Sequence, residues 1–175
     1  MSSAIYTPEK QFFTDEDFAT MGWHDNPVRA LAFGRETREL SLDIDYIFKW
    51  EEPLPEEKHY RFWISPATLV FEDVLELSIE HKFYCGLTLL GIDREEYKKE
   101  VSPVIPKRLW TWKLDCVEGG WDISASGFRQ FIRRAPVLVK EQGLNLADRG
   151  GYSFECPQRP NQTPEPTAPS GRGSS

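Results

Sequence analysis

The stretch that decides the fold runs from Leu40 to Trp50 and has the sequence Leu-Ser-Leu-Asp-Ile-Asp-Tyr-Ile-Phe-Lys-Trp. Every even-numbered residue in it is apolar or aromatic, whereas Asp43 and Asp45 lie on the other phase. Because side chains of a β-strand alternate between its two faces, this pattern predicts a long strand with one buried face. The predicted core residues are Leu40, Leu42, Ile44, Tyr46, Phe48 and Trp50.

Shorter stretches with the same alternation lie on both sides of this segment. They cover residues 28–33, 60–64, 68–71, 75–79, 110–116 and 121–125. The turn Glu118-Gly119-Gly120 separates the last two, and its glycines allow the positive φ of a tight hairpin. Pro66 is expected to end the strand at 60–64, and the charged residues 93–100 indicate a loop or a single helical turn.

Two short helices are expected beside the strands. Thr14 is a favourable N-cap for a helix that the acidic residues 15–17 stabilise and that Gly22 ends. Apolar residues in 128–135 have helical spacing, and Pro136 follows them. With six to eight strands, the sequence therefore predicts a mainly β (α+β) fold, an antiparallel curved sheet or sandwich with two short helices.

The 175 residues are expected to form one domain with two flexible ends. Residues 1–13 would be a flexible N-terminus, and residues 14–156 a single globular domain. The last segment, 157–175, is rich in proline, serine and glycine and has no aliphatic residue larger than alanine. Because it cannot bury enough apolar surface to offset the entropy of ordering, we expect a disordered tail.

Composition argues against several classes of protein. The net charge of −7 disfavours nucleic-acid binding, which needs a surplus of Lys and Arg. No apolar run approaches the ~18 residues of a membrane span, and the N-terminus lacks the features of a signal peptide. We therefore expect a cytoplasmic protein that binds neither nucleic acid nor membrane.

The cysteines indicate neither a disulfide framework nor a metal site. Cys85, Cys116 and Cys156 are widely spaced and include no Cys-x-x-Cys pair, and no metal or other cofactor is predicted. Cys116 shares the phase of Trp112 and Leu114, so it is expected to be a small buried hydrophobic residue.

Asp43 and Asp45 are the main candidates for chemistry. On one strand face their Cα atoms would be ~6.5–7 Å apart, which lets two carboxylates share a cation or divide acid and base roles. The simpler interpretation is a pair of solvated aspartates, or aspartates paired with a cross-strand Arg or Lys, since exposed strand faces are usually charged.

His24 is the histidine best placed for function. It stands between Trp23 and Asp25, and an imidazole oriented by a carboxylate can act as a base or a ligand. If the first two strands form a hairpin, however, His24 and Asp25 would lie near Lys49 and Trp50 rather than beside the two aspartates. That placement weakens the idea of one combined site.

A ligand or partner surface is the other candidate site. Trp23 lies in a turn and Trp63 is out of phase with its apolar neighbours, so both could form an exposed aromatic patch, unless a covering element buries them. Arg129 and Arg133 belong to a basic cluster that could contact an acidic partner. A solvated helix or strand edge is the simpler interpretation of these arginines.

Four motifs together resemble a family of small uncharacterised bacterial proteins. They are Trp23-His24-Asp25-Asn26, residues 42–50 with the pattern L-D-I-D-Y-I-x-K-W, residues 62–73, and Gly127-Phe128. The resemblance covers most of 22–136, and in general style it is similar to β-rich immunity proteins of polymorphic toxin systems. It implies a bacterial cytosolic origin and carries over no catalytic residues.

Three functions stay open on this evidence. The leading hypothesis is a non-enzymatic protein-interaction domain, of the immunity type if the resemblance extends so far, that binds a basic partner. The first alternative is a hydrolase or metal-dependent enzyme using Asp43 and Asp45, with His24. The second is a small-ligand or carbohydrate binder using Trp23 and Trp63.

Overall fold

A computed structural model describes residues 6–82, 86–99 and 108–157 of the chain. The predicted tail at 157–175 lies outside these residues except for its first position, and so do Cys85 and the first five positions of the predicted flexible N-terminus.

The described residues form ten strands and two short helices. In chain order they are β1 (Phe12–Thr14), a 3₁₀ helix (Asp15–Thr20), β2 (Asn26–Gly34), β3 (Glu39–Glu51), β4 (Arg61–Glu72), β5 (Glu76–His81), β6 (Thr88–Glu96), β7 (Trp110–Cys116), β8 (Gly119–Ala125), β9 (Gly127–Ile132), β10 (Val137–Val139) and α1 (Leu146–Arg149). Neighbouring strands pair in the order β1-β9-β4-β3-β2-β6-β7-β8-β5, and β10 pairs with β4. The mainly β, antiparallel architecture is confirmed, but six to eight strands was too few.

The central strand β3 follows the predicted phase up to its bulge. Leu40, Leu42, Ile44 and Tyr46 are buried in the core. Between Ile47 and Lys49 the register with β4 shifts by one residue, and such a bulge moves later side chains to the other face. Trp50, predicted to be a core residue, is therefore 39% exposed and lies opposite Phe62 on the far side of the sheet.

Pro66 does not end β4, contrary to expectation. Its carbonyl accepts a hydrogen bond from the Arg133 N–H at 3.0 Å, beyond the last residue of β9, and β10 pairs only with 62–64. Because the nitrogen and carbonyl of a strand residue point to the same side, the proline nitrogen faces the gap between β9 and β10. The ladder between β3 and β4 therefore needs no N–H from Pro66.

The segment at 128–135 is a second correction, because it is not a helix. Residues 127–132 form β9, which pairs with β1 and β4. Phe128 packs in the core opposite Phe71, and Arg129 points to the other face. Pairing with two strands outweighs the helical spacing of these apolar residues. The helix after Thr14 is confirmed as a capped 3₁₀ helix.

The sheet also begins earlier and extends further than predicted. Residues 12–14, at the end of the expected flexible N-terminus, form β1. Residues 93–96, expected in a loop, continue β6 against β7. The predicted hairpin of β7 and β8 is confirmed, and Gly119 has a φ of 153° with Glu80 backbone so close that a Cβ would clash.

Two parts of the sheet enclose one core. β2 pairs with β6 only at Asn26 and Pro27, and this short junction joins β1, β9, β4, β3 and β2 to β6, β7, β8 and β5. The core lies between the two parts and includes Leu42, Ile44, Leu69, Phe71, Trp112, Leu114, Ile123 and Phe128.

The residues after β10 cover the opposite face of β3 and β4. We call residues 140–157 the strap. Its Leu144 packs against Ile47, Phe62 and Ile64 in a second apolar cluster, and its Glu155 carbonyl accepts a hydrogen bond from the Thr68 hydroxyl at 2.8 Å. The strap therefore buries the face of β3 that carries Asp43 and Asp45.

Candidate functional site

Asp43 and Asp45 are fully buried between the sheet and the strap. β3 is flanked by β2 and β4, so both carboxylates start from the middle of the sheet. The expectation of two solvated aspartates is wrong, because the strap converts an outer strand face into an interior one. The alternative expectation, aspartates paired with a cross-strand Arg or Lys, holds for Arg29 on β2, whereas Arg133 lies after β9 and Arg149 lies in α1.

The Asp43 carboxylate accepts four hydrogen bonds. Arg149 donates two, from Nη2 to Oδ1 at 2.5 Å and from Nη1 to Oδ2 at 2.8 Å. Arg133 donates from Nη2 to Oδ1 at 2.7 Å. The Ser153 N–H of the strap donates to Oδ2 at 3.0 Å. Both oxygens of Asp43 are thus occupied.

The Asp45 carboxylate also accepts four hydrogen bonds. Arg29 on β2 donates from Nε at 2.8 Å and from Nη2 at 2.6 Å, both to Oδ2. Arg149 donates from Nε to Oδ1 at 3.0 Å, and the Leu144 N–H donates to Oδ2 at 2.9 Å. We call Asp43, Asp45, Arg29, Arg133 and Arg149 the carboxylate–arginine network.

Local structure of the strap holds Arg149 in this position. Asn145 caps α1, since its side chain accepts a hydrogen bond from the Asp148 N–H at 2.9 Å. Gly150, at a φ of 78°, ends the helix in the left-handed conformation that glycine adopts readily. Arg149 is only 2% exposed, and its Nη1 also donates to the Gly151 carbonyl at 2.6 Å.

The electrostatics of the network favour an ionised Asp43 and a charged Arg149. Burial raises the pKa of Asp43, but hydrogen bonds from Arg149, Arg133 and the Ser153 N–H outweigh burial and leave that pKa below its ordinary value. Burial likewise opposes the charge of Arg149, but its bonds to Asp43 and Asp45 raise the pKa of Arg149 overall.

This arrangement does not suit acid–base or metal chemistry. A general acid must carry a proton at working pH, whereas Asp43 is held ionised. A metal needs free oxygen lone pairs, and every carboxylate oxygen of both aspartates already accepts at least one hydrogen bond from an arginine or the backbone. No cluster of three or more His, Cys, Asp or Glu suited to a metal occurs among the residues that the structure describes.

His24 and Asp25 lie near Trp50, as the sequence predicts. The His24 ring centroid is 5.8 Å from that of Trp50, and His24 Nδ1 is 3.1 Å from Asp25 Oδ2. The Gln142 side chain donates to the same Asp25 oxygen at 2.6 Å. The structure brings His24 and Asp25 to an exposed corner and gives neither a contact with the carboxylate–arginine network.

Trp23 and Trp63 are both buried, so they do not form the exposed aromatic patch. The Trp23 indole donates to the buried Gln130 side chain at 2.9 Å. The Trp63 indole donates to Glu51 at 3.1 Å and stacks on Tyr6 at 5.7 Å. A covering element, the alternative left open above, is present for both rings.

Arg129 and Arg133 differ in their surroundings. Arg133 has a buried side chain in the carboxylate–arginine network. Arg129 is half-buried and pairs with Glu39 at 2.6 Å and Glu72 at 2.8 Å. Both guanidinium groups are therefore already matched by carboxylates of this chain.

An exposed aromatic surface does occur, at the β3–β4 end of the sheet. Trp50 packs edge-on against Tyr60 at 5.8 Å, and Tyr60 is 46% exposed. Leu54 in the intervening loop is also exposed, as are Glu52 and Glu56. We call these five residues the aromatic corner. A groove of about 570 Å³ begins here, lined by Trp50, Lys58, His59, Tyr60, Phe62, Lys140, Glu141 and Gln142.

Comparison with known proteins gives no relative. No protein-family model matches the chain, and neither a curated protein nor a solved structure shows significant similarity to it. The resemblance to a bacterial family thus stays a prediction. Across the described ranges, none of the helices has the length and apolar character needed to cross a membrane.

Sequence reasoning missed Arg149, Arg29 and Ser153. Arg149 lies 106 positions from Asp43, and its own neighbourhood 144–151 has no periodic pattern. The available signal is the presence of two aspartates, Asp43 and Asp45, between the large apolar residues of one strand. If that strand is buried on both faces, each carboxylate needs a buried cation.

Proposed function

We propose that this protein is a non-enzymatic protein-interaction domain that binds a basic partner through the aromatic corner. The observation that carries the proposal is the exposure of Trp50, Tyr60 and Leu54 together beside Glu52 and Glu56. Aromatic side chains are enriched where proteins bind one another, and they attract Lys and Arg through their ring faces.

Charge supports the same choice of partner. Of the described residues, none forms an ion pair with Glu52 or Glu56, whereas Glu51 pairs with Lys49 at 2.8 Å and Glu57 with Lys140 at 3.1 Å. The chain as a whole carries a net charge of −7. The net charge attracts a basic protein to the chain as a whole, and at the corner such a protein would find Glu52 and Glu56 free to pair, beside Lys58 and Lys140 of the groove.

The enzymatic alternative lacks support at the residues that motivated it. Neither Asp43 nor Asp45 lines the groove at the aromatic corner, and a substrate would first have to displace the arginines that bond them. The carbohydrate alternative depended on Trp23 and Trp63, which are buried. Neither observation bears on the aromatic corner.

The finer form of the proposal is that the partner is a toxin which this domain binds and blocks. Its support is the resemblance to immunity proteins alone. A toxin gene beside the gene for this chain would strengthen it, and a metabolic operon there would argue against it.

The experiment is affinity capture from a lysate of the native host with three versions of the full chain. These are the wild type, a Trp50→Ala/Tyr60→Ala variant, and a Tyr152→Ala control that removes an exposed aromatic from the strap. We expect the wild type and the control to retain the same basic protein. We expect the corner variant to bind the purified partner about 30-fold or more weakly in calorimetry, as loss of a hot spot does.

Three results would contradict the proposal. One is that no protein is retained above background by the wild type. The second is a partner retained equally by the corner variant, and the third is a partner whose contact surface is acidic. Circular dichroism of the variants separates a lost contact from a lost fold.

A further inference from the structure

The sheet is open between β2 and β5, and we call this opening the seam. From Arg29 to Gly34, β2 pairs only with β3 among the described residues. β5 pairs only with β8 in the same part of the chain. Each strand therefore presents one free edge: β5 is the last strand of the sheet order, and β2 is free on this side beyond its short junction with β6.

The two free edges run alongside each other. At one end, the Val74 N–H before β5 donates to the Arg38 carbonyl after β2 at 2.8 Å. At the other end, Val28 and Leu31 line a cavity together with Ile79 of β5 and Trp121 of β8. This cavity has a volume of about 450 Å³ and a predominantly apolar lining. β2 and β5 thus flank the seam in opposite directions.

Apolar side chains meet solvent along the seam although they have the phase of core residues. Phe33 lies opposite the buried Leu40 across β2 and β3, yet it is 62% exposed. Ile79 lies opposite the buried Trp121 across β5 and β8, yet it is 42% exposed. Their exposure comes from the missing neighbour, because the strand positions themselves face inward.

The free edge of β5 offers backbone hydrogen-bond groups at defined positions. The Lys82 N–H donates to the Glu118 carbonyl at 2.9 Å, so even-numbered residues of this strand direct their backbone groups toward β8. In an antiparallel ladder the alternate residues point the other way. Leu77 and Ile79 therefore direct N–H and C=O groups into the seam, as an edge that accepts an added strand does.

Trp121, which lines the cavity, carries a buried donor. Its indole N–H is shielded from solvent and has no hydrogen-bond partner among the residues that the structure describes, although buried indoles normally have one. An occupant of the cavity that relaxes Trp121 toward a carbonyl would remove this cost. An occupant of the seam could therefore supply a hydrogen-bond acceptor for Trp121 as well as apolar contacts.

The outward face of β5 favours basic side chains on an added strand. It carries Glu76, Ser78 and Glu80, and Asp122 lies opposite Ser78. Glu76 already pairs with Lys99 at 2.7 Å, and Lys82 follows the strand. Lys113 lies opposite Asp122 on β7, so Glu80 is the carboxylate of this face that remains for a neighbouring cation.

We propose that the seam binds an extended segment of a partner protein by strand addition to β5. Its apolar side chains alternate with basic ones, the former filling the cavity beside Leu31, Ile79 and Trp121 and the latter facing Glu80. This site is separate from the aromatic corner and does not require it. The proposal therefore fails or succeeds independently of the one above.

The probe is a synthetic peptide, Lys-Val-Lys-Val-Lys-Val-Lys, added to the full ¹⁵N-labelled chain. We expect chemical-shift changes and slower amide exchange at Leu77 and Ile79, with smaller effects elsewhere. A peptide with Glu in place of Lys should bind about tenfold more weakly or not at all. Two further peptides are N-methylated, one at every Val and the other at every Lys. Each lacks the backbone N–H donors along one of its two edges, so at least one of them should lose binding.

Three protein variants locate the site. Ile79→Lys should weaken peptide binding about tenfold or more, because it places a charge in the cavity. Leu146→Lys is the matched control, since Leu146 is an equally apolar residue exposed on the strap, and it should bind like the wild type. Trp50→Ala/Tyr60→Ala should also bind like the wild type, which excludes adsorption of the basic peptide to the aromatic corner.

The outcomes that overturn strand addition are equally specific. Absence of binding at millimolar peptide overturns it. So does binding of both N-methylated peptides as tightly as the unmodified peptide, which would indicate side-chain contacts alone. Binding of an apolar dye in the seam, with no binding of the peptide, would assign the cavity to small molecules. A dimer that Ile79→Lys dissociates, again without peptide binding, would assign it to a second copy of this chain.

Discussion

The position of the strap depends on its contacts with two buried aspartates. These contacts join Arg149 of the strap to Asp43 and Asp45. Moving a carboxylate out of water costs several kcal/mol, and the cost is offset only where the geometry of its partners is good. Each aspartate here accepts four hydrogen bonds, and Arg149 contacts both. Such a network gives little net stability over an apolar core, but it allows only one position for the strap.

Removal of Arg149 should be strongly destabilising. In Arg149→Met the two carboxylates stay buried and lose three hydrogen bonds between them. We expect the free energy of unfolding to fall by about 3–5 kcal/mol, measured by urea denaturation followed by circular dichroism. Lys113→Met is the control, since Lys113 pairs with Glu95 on the exposed surface, and its midpoint should stay unchanged. A loss below about 1 kcal/mol in Arg149→Met would contradict this view of the network.

Acid should weaken the fold through Asp43. Its pKa in the folded protein lies below the ordinary value, so as pH falls the unfolded chain takes up the proton first, near pKa ~3.9. The stabilisation is complete above that value and is lost as pH falls through the lower, folded pKa. We expect the urea midpoint of the wild type to drop below about pH 4 more steeply than that of Asp43→Asn.

NMR titration of the Asp43 carboxyl carbon checks the same point without a variant. A midpoint at or above the ordinary value would contradict the prediction. Parallel pH dependence of the wild type and Asp43→Asn would do so as well.

Among the elements, the strap is the one that local sequence signals describe least well. β3 and the β7–β8 hairpin follow from alternation and glycine placement. The strap has a four-residue helix and no repeating apolar phase, and it is held by contacts with residues about 100 positions earlier. Long-range pairing of this kind leaves no local pattern to detect.

Truncation separates the strap from the residues that follow it. A chain that ends at Pro157 keeps every contact of the network and should melt at the same temperature as the full chain. A chain that ends at Gln142 loses Leu144, Arg149 and Ser153, and we expect it to be unfolded or rapidly cleaved by protease at 25 °C. Thermal melts followed by circular dichroism test both. Similar melting of the two truncated chains would show that the strap is dispensable.

The sequence predicts the class of the fold correctly, but it predicts the burial and strand position of particular residues less reliably. The antiparallel sheet, the 3₁₀ helix after Thr14 and the burial of Cys116 agree with the predictions. Trp50 was misplaced because a bulge reverses the phase of β3, and a bulge has no clear signature in one sequence. Pro66 is accepted inside β4 because its nitrogen faces the gap between β9 and β10. The sequence alone does not show where those neighbouring strands stop.

For the candidate sites too, features that depend on local pairing were predictable, and features that depend on distant elements were not. The position of His24 beside Trp50 was predictable, since it needs only a hairpin between the first two strands. Burial of Trp23 and Trp63 depends on covering elements, as the alternative interpretation stated. The seam could not be predicted, because alternation shows which residues face a core but not whether a neighbouring strand completes it.

The separation of Asp43 from Arg149 has a consequence for synthesis of the chain. Arg149 emerges 106 residues after Asp43, which at about 5–20 residues per second corresponds to roughly 5–20 s. During that interval β3 exists without its principal counter-charge, and its aspartates must remain in water. The face of β3 that carries Asp43 and Asp45 therefore stays hydrated during synthesis. It becomes buried only when the strap packs on it and displaces that water.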